Sequence, residues 1–240
     1  MKDKEFYSRI GKKGIKLRWQ RIHSAVKVSP LNKDKASLHA YLCGDGYIAM
    51  REESNGTIHY EINFFPDDRA MLKNFQNAFF SCYGIMPSRI RKEGKMFRLR
   101  IDNKVVCCDL LKLGNYGKYD WTIPEEIRNK FALAWLSCFF DCEAHINKKG
   151  VIQVKSVNHK GLINVRDMLK DLEIDSRLTG PYKYSLGSPY SVLTIGKKEA
   201  LLRYKEKIGF NHSEKVKKLN SVLNTSPDET MVLCEPGIDR

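Results

Sequence analysis

No uncharged apolar stretch in these 240 residues approaches the roughly 18 to 20 that a membrane-spanning helix needs, which excludes a helical membrane protein. The opening MKDKEFYSRIGKKGIKLRWQ has no apolar run of the kind a secretory signal carries. The acids Asp3 and Glu5 are out of place in a transit peptide. An intracellular, cytoplasmic setting is expected, with an organelle left open. Cysteine occurs seven times, at 43, 82, 107, 108, 138, 142 and 234, but never as C-x-x-C, and the number is odd. A disulfide scaffold and a zinc ribbon are therefore excluded, and buried free thiols are expected. Negative charge is also scarce. The 28 Asp and Glu face 42 Lys and Arg, for a net charge of +14. Hydrophobic residues make up 42%, too many for a disordered chain and enough to fill one large core or two small ones.

The excess charge is concentrated. Residues 1–36 hold eleven Lys and Arg against three acids, a net of +8. Within them Lys12, Lys13, Lys16, Arg18 and Arg21 interleave with Ile10, Ile15, Leu17, Trp19 and Ile22, which suits a short helix with one apolar and one cationic side ending before Pro30. Such a segment can lie along a polyanion, or serve as a solubilising tail. Basic residues recur along the whole chain, so nucleic acid is favoured over a membrane surface.

The chain also contains itself twice. SLHAYLCGDGYI (37–48) and WLSCFFDCEAHI (135–146) are both apolar helical runs that end in a carboxylate and a turn. Alternating strand patterns follow each, the first around Asn55-Gly56 and the second around Lys148-Lys149-Gly150. Amphipathic helices are predicted over 67–84 and 159–174, second hairpins over 88–102 and 176–195, and closing helices over 103–113 and 197–208. The exits LGNYGKYDWTIP (113–124) and IGFNHSEKVKKL (208–219) each place a lysine, Lys118 or Lys215, a few residues after a glycine. Chance likeness between two ordinary α+β halves is the bland alternative. The matched carboxylates and lysines favour a duplication with a pseudo-two-fold axis. The expected organisation is a basic extension (1–36), two repeats (37–124 and 125–222) and a polar tail (223–240).

The two apolar helices carry small residues four apart, Ala40 and Gly44 in one, Cys138 and Cys142 in the other. That spacing puts each pair on one helix face and lets two helix backbones approach closely. If those faces meet, Asp45 and Glu143 come together at adjacent helix ends. Two uncompensated carboxylates in one place repel each other unless a cation joins them, and hard oxygen ligands with open positions suit Mg²⁺. Taken singly, each acid reads as an ordinary helix stop.

LHAYLCGDG (38–46) and LSCFFDCEA (136–144) resemble the paired signature helices of LAGLIDADG homing endonucleases in their monomeric, two-motif form. The likeness extends over about residues 37–222. It implies an α+β fold of two pseudo-symmetric αββαββα repeats, with signature helices at the inter-repeat interface and four-stranded antiparallel sheets forming a DNA-binding saddle. It implies Asp45 and Glu143 as the metal-holding catalytic acids, Mg²⁺ as cofactor with Mn²⁺ as a substitute, and Lys118 and Lys215 as catalytic lysines. The implied activity is site-specific double-strand cleavage of DNA by a monomer, leaving 3′ overhangs. Two departures stand out. Cys43 replaces the acid at the sixth motif position that Asp141 keeps, a position that usually serves the helix end, so little loss is expected. Ala144 replaces the last glycine, where a left-handed cap would cost about 1 kcal/mol.

Outward strand residues are the expected readers of base edges, since a two-stranded ribbon fits the major groove. They are Arg51, Glu53, Asn55, His59, Glu61, Asn63, Arg89, Arg91, Lys92, Arg98 and Arg100 in the first repeat. In the second they are Asn147, Lys148, Gln153, Lys155, Arg177, Tyr182, Lys183 and Tyr184. Each is bland alone, because alternating polar residues usually face solvent. The halves differ enough that the DNA target should be long and asymmetric. The chain reads as free-standing or intron-encoded. Two other readings use the same fold: a maturase that binds intron RNA, and a regulator that binds DNA without cutting it.

Overall fold

The structure, a computed structural model, describes residues 25–87, 89–147, 149–184 and 187–224, with Gly14 alone before them. The predicted basic helix, with Lys12, Lys13, Lys16, Arg18 and Arg21, lies outside the described residues, as do Lys148 and the tail from 225. The first repeat runs α1 (Lys33–Gly44), β1 (Gly46–Glu52), β2 (Ile58–Phe64), α2 (Arg69–Tyr83), β3 (Arg89–Glu93), β4 (Met96–Ile101) and α3 (Lys104–Leu111). A short α4 (Glu125–Lys130) leads into the second repeat. That repeat runs α5 (Ala132–Glu143), β5 (Ala144–Ile146), β6 (Ile152–Ser156), α6 (His159–Asp171), β7 (Arg177–Tyr184), β8 (Gly187–Ile195) and α7 (Lys198–Lys207). A final helix, α8 (Ser213–Asn224), follows. The duplication is thus present element by element, with α4 and α8 added at the joints.

Four of the helix starts have a local cause in a capping side chain. Asn32, Asp68, Asn103 and Asn158 cap α1, α2, α3 and α6 by accepting hydrogen bonds from backbone N–H groups in the first turn. α2 ends at Gly84, in the left-handed conformation that glycine adopts without penalty. Helix α1 begins at Lys33, inside the stretch expected as extension, because residues 25–32 are strapped to the end of α2. Lys27 and Ser29 donate backbone hydrogen bonds to the carbonyls of Tyr83 and Cys82 at 3.1 and 2.9 Å.

Both sheets are antiparallel and share one order, β1-β2-β4-β3 and β5-β6-β8-β7. Gly46 pairs with Phe64 and Phe64 with Leu99, while Ala144 pairs with Val154 and Val154 with Leu193. These registers make Phe64 and Val154 equivalent, and likewise Leu99 and Leu193. Strand alternation then sorts the faces. Ile62, Phe64, Leu99 and Ile101, with Ile152, Val154, Leu193 and Ile195, are buried in the core. The odd-numbered neighbours on β1 and β2 and the even-numbered ones on β4 turn to the helix-free side.

Helices α1 and α5 meet across the pseudo-axis. A Cβ on Gly44 would sit 2.5 Å from Cβ of Cys142, so only glycine allows this approach. Substituting Gly44→Ala is expected to cost about 1 to 3 kcal/mol by overpacking. Thermal unfolding checks this, with a midpoint lower by about 2 to 4 °C per kcal/mol for a chain of this size. An unchanged midpoint would show that the helices are not held this close. The exits strengthen the joint by crossing over. Ser213 donates from its backbone N–H and hydroxyl to Asp68, the cap of α2 in the other repeat. Asn158, the cap of α6, donates from Nδ2 to the Trp121 carbonyl at 2.7 Å, and Trp121 packs flat against Gly161.

Candidate active site

The two signature helices end side by side and hand over directly to strands. Neither end is the left-handed cap expected at Ala144. Asp45 caps α1 at φ −95°, ψ 29°, and Ala144 is extended at φ −79°, ψ 139°. Ala144 is buried as the first residue of β5, so the anticipated cost does not arise. Its counterpart Gly46 is glycine for a different reason. A Cβ there would meet the Asn63 carbonyl oxygen and Leu42 at 2.8 Å.

Asp45 and Glu143 are both largely withdrawn from water, and burial lifts both carboxyls above their usual range. Glu143 is pushed up to about 7, with the neighbouring Asp45 charge adding to the effect of burial and Lys215 opposing it. Asp45 is drawn back by the Cys142 thiol and the Lys215 charge, and raised again by Asp67. Burial is the main cause in both, and the Asp45 charge acts on Glu143 in addition. Among the described residues no cluster of three or more His, Cys, Asp or Glu could cage a metal. A cation between these two acids would therefore complete its shell with water and phosphate oxygens, the way Mg²⁺ is commonly held. The donor set fits that ion.

The two lysines, matched in sequence, sit differently. Lys118 is exposed and lines an open cleft of about 760 Å³ with Glu143, Cys43, Lys155 and Tyr190. Lys215 is largely buried, and its ammonium donates to the carbonyls of Phe140, Asp141 and Cys142 at the end of α5. Burial lowers its pKa, while the acids Asp141, Asp45 and Asp67 work against that. Lys215 is thus a fixed positive charge between the helix terminus and Asp45.

The sixth motif positions also diverge. Asp141 reaches out of α5 to the exit of its own repeat, accepting from the backbone N–H groups of Asn211 and His212 at 2.8 and 3.0 Å. Cys43 has no such clasp. It lies 3.6 Å from Nδ1 of His39, a ring that sits beside Tyr116 and accepts from Trp135 Nε1 at 2.9 Å. His39 is fully buried, and burial pushes its pKa down to about 3. The folded protein refuses a proton that the unfolded chain accepts near pH 6.5. Stability is then fully present above about pH 6.5 and is lost as pH falls toward 3, at up to about 1.4 kcal/mol per pH unit. Urea midpoints between pH 7 and 4 should fall accordingly, and His39→Gln should flatten that slope.

Of the expected base readers, Arg51, His59 and Glu61 lie on the helix-free face of the first sheet with Arg89, Arg91, Arg98 and Arg100. Gln153, Lys155 and Arg177 lie on that face of the second. Tyr182 and Lys183 are exposed at the tip of β7, where Tyr182 lies 5.6 Å from Tyr190, and Tyr184 closes the strand. Others are placed differently. Asn63 is fully buried beneath Arg98 and supports it. Asn55 and Asn147 spend their side-chain oxygens on the hairpin turns, and Glu53 is paired with His59 at 2.9 Å. Lys92 alternates to the same side as Ile90, away from the arginines. Sequence reasoning passed over Tyr47, Asp67 and Tyr190. Asp67 read as the first residue of the helix predicted over 67–84, and the tyrosines carry no pattern until the sheets are assembled.

Residues 130–209 match the family model of a LAGLIDADG-like domain. That match makes the body of the second repeat a LAGLIDADG-like domain. The fold of the chain matches that of I-DmoI in complex with DNA and Mn, with a TM-score of 0.59 at 15% identity over 74% of this chain and 96% of that one. The I-DmoI complex with DNA and Ca gives 0.58 at 14% identity, over 73% and 88%. Full-length DUF199/WhiA from Thermatoga maritima gives 0.51 at 13% identity, over 85% of this chain and 65% of that one. No curated protein matches the sequence. At these identities the likeness shows the fold, two LAGLIDADG repeats around a shared helix pair.

Proposed function

We propose that this chain is a metal-dependent, site-specific endonuclease that acts as a monomer and cuts both strands of a long, asymmetric DNA target, leaving 3′ overhangs. The observation that carries the reading is the pair of carboxylates at abutting helix ends, with Glu143 lifted to about 7, beside two sheets with helix-free faces, the first of which presents four arginines. Asp45 and Glu143 would hold Mg²⁺, or Mn²⁺ in its place. A divalent cation there supplies acidification of water and neutralisation of charge on the leaving 3′ oxygen.

The remaining work falls to the protein. One acid from each repeat gives each strand its own carboxylate, which suits two cuts by one chain. Lys118, exposed in the cleft that Glu143 also lines, meets the phosphate and stabilises charge that develops on it. Lys215 cannot leave the end of α5 without abandoning three carbonyls, so it positions the helix end that carries Glu143, and its charge favours the ionised form of both acids. Lys155 stands over the Tyr190 ring at 3.9 Å, and keeps a second cation at the mouth of the cleft.

The test is a cleavage selection. A randomised or genomic DNA library is incubated with the protein and Mg²⁺, and the new ends are sequenced. Recurrent cuts with short 3′ overhangs at one extended sequence are expected. No cutting, with tight magnesium-independent binding to DNA, would replace the nuclease reading by that of a regulator. Preferential binding to structured intron RNA would replace it by a maturase.

A further inference from the structure

The helix-free face of the first sheet carries four arginines in two register pairs, Arg89 opposite Arg100 and Arg91 opposite Arg98. Like charges directly across a ladder destabilise it. Here the cost is offset from beneath. Asp102 pairs with Arg89 and with Nε of Arg100, Glu61 lies 3.6 and 3.5 Å from Arg98 and Arg100, and Glu93 lies 3.9 Å from Arg98. The buried Asn63 accepts from Arg98 Nε at 3.1 Å. Arg98 and Arg100 are therefore gripped through Nε–H, by Asn63 and Asp102, and Nη2 of each also faces Glu61 at longer range, which fixes the plane of both guanidinium groups. Both side chains stay partly exposed, along a groove of about 450 Å³ that all four arginines line. An arginine fixed this way is pre-organised for bidentate donation to O6 and N7 of guanine, its commonest specific contact.

The second sheet places other chemistry at the same register positions. With Leu99 equivalent to Leu193, Arg98 corresponds to Val192 and Arg100 to Thr194, while Arg91 corresponds to Thr179 and Arg89 to Arg177. Asn63 corresponds to Gln153. Threonine and valine methyls suit the thymine methyl, and glutamine suits adenine.

We infer that the first repeat reads a guanine-rich half-site through the Arg98 and Arg100 forks, with Glu61 and Asp102 as positioning residues, and that the second repeat reads an A·T-rich half-site. This rests on the reading above that the chain binds DNA, and it adds the base content and polarity of the target.

The experiment is a binding selection on randomised duplex DNA with the full chain in Ca²⁺, run beside the Mg²⁺ cleavage selection. Guanines at two or more positions of one half and A·T pairs in the other are expected. Arg98→Ala and Arg100→Ala should each relax a guanine position, by about 5- to 150-fold in discrimination. Glu61→Gln should relax both positions together, a base-specific change that a merely structural role would not produce. Thermal midpoints confirm that the variants are folded. The inference is overturned by a selected site with no guanine bias in either half, or by arginine variants that weaken all sequences equally, as phosphate contacts do. The failures are distinguishable. Cleavage at a site without the guanine half sinks this inference alone, whereas a guanine-biased site bound but never cut sinks the nuclease reading alone.

Discussion

Asp45→Asn and Glu143→Gln are each expected to abolish double-strand cleavage, with a loss on the order of 10³-fold or more, while target binding persists. The magnitude follows from what is removed. Each change keeps the side chain's shape but deletes the negative charge that holds a cation, and with it several kcal/mol of transition-state stabilisation. Because each acid comes from a different repeat, the single variants should leave DNA intact or nicked on one strand, which denaturing gels distinguish from double-strand cutting. Stability separates a catalytic role from a structural one. Glu143 is lifted to about 7 in the folded protein, against an ordinary value near 4.5. Without metal, its contribution is present below pH 4.5 and is lost as pH rises through 7. Glu143→Gln should then be more stable than the parent at pH 8 in chelator, and Mg²⁺ should raise the midpoint of the parent alone. A variant that loses both cleavage and stability would show instead that Glu143 holds the fold together.

Much of this arrangement is legible in the sequence because duplication writes the same instruction twice. Asn32, Asp68, Asn103 and Asn158 announce helix starts, and the small residues at 40, 44, 138 and 142 announce the helix crossing. What escapes is whatever depends on pairing across distance. Lys118 and Lys215 occupy matched places in their loops, yet one ammonium faces an open cleft and the other is bound to helix-end carbonyls. Loop geometry, not spacing, decides that. Ala144 looks like a defect only if its helix must end left-handed, and a strand that begins at once removes the need. The arginines on β3 and β4 read as a basic stripe until the register sets Glu61 and Asp102 beneath them. The tie from His39 to Trp135 spans 96 residues and joins the two signature helices, so no local pattern could show it.

The second large effect is expected at Lys35. Its ammonium is only 3% exposed and pairs with Asp109 at 2.7 Å, while Tyr83 donates its hydroxyl to the same carboxylate oxygen at 2.9 Å. Lys35 also donates to the Ser29 carbonyl, so one cation ties the strap, α1, α2 and α3 together. Lys35→Met should cost roughly 3 to 5 kcal/mol, because Asp109 is left buried with only Tyr83 for compensation. The thermal midpoint would drop by about 2 to 4 °C for each kcal/mol. The second repeat shows that the pair is not demanded by the fold. Counting back ten residues from Asp45 and from Glu143, Lys35 corresponds to Leu133, which is half-exposed. Six residues after the caps of α3 and α7, Asp109 corresponds to Arg203, which donates to the Glu173 carbonyl. The same helices pack there without a buried ion pair. Lys35→Met combined with Asp109→Leu should therefore recover most of the loss, as hydrophobic replacement of buried pairs commonly does. Recovery would mean that the stability of the first repeat rests on apolar packing, with the ion pair fixing how α1 is seated. A double variant no better than Lys35→Met alone would mean that the strap depends on the lysine itself, through Ser29. Asp45, proposed as catalytic, would then depend on the anchorage of the N-terminal segment at the opposite end of its own helix.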